Sequence, residues 1–126
     1  MGKFRIRFFT PPLDWMTESR IRFDADAFYL KKTYFAKERV VFWREVKAVL
    51  SEKRDQMSYE ENYLIFDILA GWFWVGELTN GFHAFEAEVR ARFDGIPVHW
   101  RAKLELNPAG EVFLLWGEPR ESDGDD

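Results

Sequence analysis

The chain has 126 residues, 47% of them hydrophobic and 32% charged, with a net charge of −4. That length fits one domain built on one core, and the interspersed acids and bases exclude a duplex-binding protein that relies on bulk positive charge. There is no cysteine, so disulfides and thiolate chemistry are excluded.

The 18% aromatic share supplies a large potential core. Gln56 is the only glutamine, while Glu, Arg and Lys abound. That bias is expected of thermophile proteins, and it points to a thermophilic prokaryote or a virus of one. The start "MGKFRIRFF" lacks the apolar run of a signal peptide. The longest nearly apolar stretch, "YLIFDILAGWFWVG" at 63–76, falls short of the roughly 20 residues that span a bilayer. No membrane partner and a cytoplasmic location are therefore expected.

In chain order, residues 3–9 alternate strictly, with Phe4, Ile6 and Phe8 on one side. This predicts a half-buried strand. Residues 20–28 alternate again, with Ile21, Phe23, Ala25 and Ala27 on one face, and predict a second strand. From 36 to 54 the period changes. Val40, Trp43, Val46 and Leu50 fall on one helical stripe, which predicts a helix. Ser58 and Glu61 have the spacing of a capping box, and a second helix is expected over 59–70, stopped by Gly71.

Beyond it the turn chemistry predicts a four-strand meander. Asn80-Gly81 and Asp94-Gly95 suit two-residue turns with positive φ, and Asn107-Pro108-Ala109-Gly110 suits a turn closed by a left-handed glycine. In that register Glu88 faces Arg101 and Glu86 faces Lys103, with apolar pairs on the other side. Trp72, Trp74, Trp100 and Trp116 then face the core. The predicted architecture is α+β: an antiparallel sheet, made of the four-strand C-terminal meander plus one or two N-terminal strands, with two helices packed on one face. Residues 1–116 form the domain and 117–126 an acidic, disordered tail.

The same register puts Phe73, Val75, Phe82, Arg90, Arg92, Phe113 and Leu115 on the second sheet face. A solvated face should not be so apolar at its edges. The N-terminal strands could cover it, a second copy could pair there as a homodimer, or another protein could dock. Exposed aromatics and arginines are enriched at interfaces, which makes these seven the candidate partner-binding residues.

Catalytic signals are sparse. His83 and His99 are expected on opposite faces, so no joint metal site follows. No nucleophile elbow or phosphate loop occurs. Asp24 and Asp26, two apart on a strand, would project together, with Arg20 and Arg22 to balance them. Asp67 interrupts an apolar helix and needs a partner or a cleft. An arginine stripe including Arg20, Arg22, Arg90, Arg92 and Arg101 could clamp a nucleic acid strand, but the interleaved glutamates oppose it. No cofactor and no metal are expected. The expected function is a non-catalytic protein-binding regulator or inhibitor, viral or cellular, of a larger machine such as the transcription apparatus. The alternative is a small-molecule binder or enzyme, with Trp72, Trp74, Trp100 and Trp116 lining a pocket between helices and sheet and His83 or Asp67 as its polar groups.

Overall fold

The computed structural model describes residues 19–32, 36–55 and 59–119. The predicted strand at 3–9 and the cap Ser58 lie outside them. Two antiparallel sheets and two helices make up the described chain, an α+β arrangement. A three-stranded sheet has the order β1 (Arg20–Phe23), β2 (Ala27–Lys31), β3 (Arg39–Phe42). A short 3-10 turn, Trp43–Glu45, leads to β4 (Ala48–Asp55). Next come β5 (Glu60–Ile68), β6 (Gly71–Gly76), α1 (Phe82–Arg92), α2 (Trp100–Glu105) and β7 (Val112–Gly117). The four-stranded sheet has the order β6-β5-β4-β7.

The α+β class with a four-stranded antiparallel sheet holds, but the segments exchange roles. The run at 20–28 is a hairpin rather than one strand. Asp24 turns the chain, its carboxylate accepting the N–H groups of Asp26 (2.9 Å) and Ala27 (2.9 Å). The helix expected over 36–54 is β3, the turn and β4. The helix expected over 59–70 is β5. That segment is apolar all round because it is a central strand, paired on both edges and buried on both faces. Short apolar runs of this kind have no period that separates strand from helix.

The opposite exchange occurs at 82–105, where helices replace the expected meander strands. Phe82, Phe85, Val89 and Phe93 recur at helical spacing and are buried. The charges that would pair across strands pair along α1 instead: Arg90 to Glu86 (3.5 Å) and Arg92 to Glu88 (2.6 Å), both four apart. Gly81 does take positive φ (91°), but it opens a helix rather than a hairpin. A Cβ there would lie 2.5 Å from the Ile21 carbonyl, so the close approach also requires glycine. Asn80 holds this corner by exchanging backbone hydrogen bonds with Ser19 (2.9 Å) and Ile21 (2.9 Å).

The helices and the three-stranded sheet cover one face of the four-stranded sheet. On that face Val49, Leu64, Phe66, Phe73 and Val75 meet Phe28, Val41, Phe85, Val89, Trp100 and Leu104 in one core. Of the tryptophans expected to line a pocket between helices and sheet, Trp100 is buried in this core, Trp116 packs against it, and Trp72 and Trp74 lie on the other face. A carboxylate locks α1 to α2. Glu86 accepts from Trp100 Nε1 (2.7 Å) and Arg101 (3.0 Å), and Arg101 also reaches Glu77 (3.0 Å) on the loop after β6. Burial alone would raise the pKa of Glu86. The Trp100 and Arg101 hydrogen bonds and the Arg101 and Arg90 charges outweigh it and hold the carboxyl below its ordinary value.

A folded-state pKa below the unfolded one gives stability that is present above the unfolded value and lost as pH falls through the folded one. Glu86→Gln should therefore flatten the acid limb of the urea-denaturation midpoint below about pH 4. Glu86→Ala should cost about 2–3 kcal/mol at neutral pH, because it strands Trp100 N–H and part of Arg101.

Candidate functional site

The outer face of the four-stranded sheet carries an opening with an aromatic side. Strand pairing sets it. Ile65 pairs with Trp74 and Asp67 with Trp72, so both tryptophans stand on the outer face beside Tyr63. Phe73 and Val75, alternating with them, point into the core. This reverses the expected faces of β6. Phe73 and Val75 pair with Phe66 and Leu64, whose side chains already face the helices, and pairing fixes the rest.

A groove of about 410 Å³ opens here. Tyr63, Trp72 and Trp74 form its aromatic side. Lys32, Arg39 and Arg54 supply three cations, and Asp55 one carboxylate. The Arg54 guanidinium carbon lies 4.8 Å from the centre of the Trp74 ring, and that of Arg39 lies 4.8 Å from the centre of Phe73. Tyr63 meets Trp74 edge-on at 5.8 Å. Its hydroxyl donates to Glu61 (2.9 Å), whose carboxylate also accepts the Leu78 N–H (3.1 Å). Burial first, and then Glu61, push the Tyr63 pKa up to about 12, so the phenol keeps its proton at neutral pH. Burial also raises Glu52, across from Tyr63, against the pull of Arg54. A second opening of about 250 Å³ shares Lys32, Tyr63 and Trp74 and adds the hydroxyls of Ser19 and Thr79.

The expected partner-binding residues do not meet on one surface. Phe73, Val75 and Phe82 are buried in the core, because β6 faces the other way and Phe82 starts a helix. Arg90 and Arg92 are occupied on α1, and Arg92 also lies 4.4 Å above Trp43 and donates to the Ala25 carbonyl (3.1 Å). Phe113 and Leu115 are half-buried against the core. A register shift between Val49 and Leu50 places Leu115 in a bulge, which lets Phe113, Leu115 and Trp116 all turn inward.

The other candidates scatter. His83 is exposed on α1 beside a small opening with Glu77 and Arg101, and His99 precedes α2. Asp24 builds its turn and accepts the Tyr29 hydroxyl (2.8 Å), which with the Asp26 and Ala27 amides lowers its pKa. Asp67 is fully buried on the outer face. Among the described residues no three His, Asp or Glu side chains group as metal ligands, and no helix is long and apolar enough to cross a membrane.

Of the groove residues, Trp72 and Trp74 were marked as pocket-lining from sequence, on the wrong side of the sheet. Arg39, Arg54 and Tyr63 escape the sequence reading because 36–54 and 59–70 read as helices, which scatter them, and Lys32 and Asp55 fall outside every predicted element. Comparison with known proteins finds no match among family models, curated proteins or solved structures.

Arg54 is exposed and its contact is a surface cation–π pair. Arg54→Ala should thus shift stability by no more than about 1 kcal/mol in thermal denaturation, while uncovering Trp74 and changing its fluorescence.

Proposed function

We propose that the chain is a non-catalytic binding protein whose groove takes an anionic ligand bearing a planar ring. One observation carries this reading: three cations and three aromatic rings converge on one opening. Rings attract flat apolar surface and guanidinium groups attract anions, so a ligand having both would use every wall. Naphthalene sulfonate has both. It should bind and perturb tryptophan fluorescence, neutral naphthalene should bind more weakly, and Arg54→Glu should reduce sulfonate binding about tenfold or more. Equal binding to the Arg54→Glu protein would remove the groove from consideration.

A second reading, docking of a protein partner, is favoured by Val112 and Leu114. They remain 50% and 52% exposed on β7, on the same outer face as Leu50 and Ile65. A regulator or inhibitor of a larger machine, in a thermophilic prokaryote or its virus, would suit such a surface. Under this reading Leu114→Asp should abolish co-purification of a partner without lowering the thermal midpoint by more than about 1 kcal/mol equivalent. Co-purification that survives the change would count against it.

A further inference from the structure

We infer that the groove is a nucleotide site, in which a base stacks on the Trp74–Arg54 pair while its phosphate meets Lys32 and Arg39. The inference rests on the reading of the groove as a site for anionic, ring-bearing ligands, and it names the ligand class.

The arginines supply the first argument. Arg22, Arg90, Arg92 and Arg101 each hold a carboxylate within 2.6–3.5 Å. Arg39, Arg54 and Lys32, at the groove, make no ion pair with a carboxylate of the described residues, although Asp55 lines the same opening and Arg54 acts on Glu52. In a chain with more acids than bases, three cations against one carboxylate on one opening leave anion-binding capacity there.

The second argument is geometric. The Arg54 guanidinium carbon lies 4.8 Å from the Trp74 ring centre, and bases stack on aromatic rings and on guanidinium planes alike. The in-plane N–H groups of Arg54 stay available at the rim for phosphate oxygens. A carboxylate side chain of a peptide would engage the cations but leave the rings unused. A base joined to a phosphate engages both.

The third argument is size. About 410 Å³ lies in the range of small-ligand sites. The adjoining opening, lined by Ser19, Thr79 and Glu61, gives room and acceptors for a sugar, the Ser19 hydroxyl donating to Thr79 (3.2 Å), and Asp55 offers an acceptor to ribose hydroxyls or base amino groups.

Isothermal titration with adenosine monophosphate, adenosine, inorganic phosphate and an oligoadenylate of about six nucleotides tests this. Adenosine monophosphate should bind, with adenosine and phosphate each at least about tenfold weaker. Arg54→Ala, at an exposed site that keeps the fold, and Trp74→Leu should each weaken it about five- to a hundredfold. Tighter, salt-dependent binding of the oligoadenylate would identify a single strand as the source, and equal affinity a free nucleotide. Either result supports the assignment. Adenosine binding as tightly as its monophosphate would overturn it, and so would unchanged affinity in both variants. If naphthalene sulfonate binds and adenosine monophosphate does not, the nucleotide assignment fails while the groove reading stands. If neither binds, both fail.

Discussion

The fold depends on the packing around Phe28. Its ring lies 4.8 Å from Trp43, 4.9 Å from Phe66, 5.0 Å from Phe85 and 5.8 Å from Phe73, measured between ring centres. These five rings come from β2, the turn after β3, β5, α1 and β6. The three-stranded sheet, the four-stranded sheet and a helix meet in this cluster. Burying one such ring contributes about 1.5–3 kcal/mol, and tilted ring pairs add to that. Truncating Phe28 would leave a cavity bordered by four elements, none of which can close it alone.

That cluster also decides where the groove lies. Phe66 and Phe73 must face inward to meet Phe28, so their alternates on β5 and β6 must face outward. The outward set is Tyr63 and Ile65 on β5, with Trp72 and Trp74 on β6. The aromatic wall of the groove is thus the reverse side of the core strands. The sheet edge beyond β6 brings Lys32 and Arg39 from the three-stranded sheet to the same opening.

Much of the class was legible and much of the detail was not, for physical reasons that particular residues show. The strands at 71–76 and 112–117 and the positive φ of Gly81, Gly95 and Gly110 follow from alternation and turn chemistry. Residues 60–68 did not declare themselves. A strand buried on both faces loses alternation, and Tyr63 to Phe66 then fit a buried helix equally well. Residues 82–93 were ambiguous in the opposite sense. In "FHAFEAEVRARF" the apolar residues fit both periods, and only the helix formers Ala84, Ala87 and Ala91, all exposed, favour one. The face of Trp72 and Trp74 turned on what their neighbours on β5 contact, a tertiary fact that no local pattern contains.

Charge then separates the two sides of the molecule. The cations of the helical side are spent on structure. Glu86 and Glu77 hold Arg101, Glu88 holds Arg92, and those pairs fix α1 and α2 over the core. On the groove side, the buried carboxylate of Glu61 accepts from the Tyr63 hydroxyl and the Leu78 amide. Gly76 allows that arrangement, because any Cβ there would collide with the Glu61 carboxylate and crowd the Tyr63 ring. Arg39, Arg54 and Lys32 outnumber the one carboxylate, Asp55, at the opening. A net charge of −4 therefore does not oppose a local anion site. Screening confines the field of each exposed charge to about 8–10 Å, so the distribution around the groove outweighs the total.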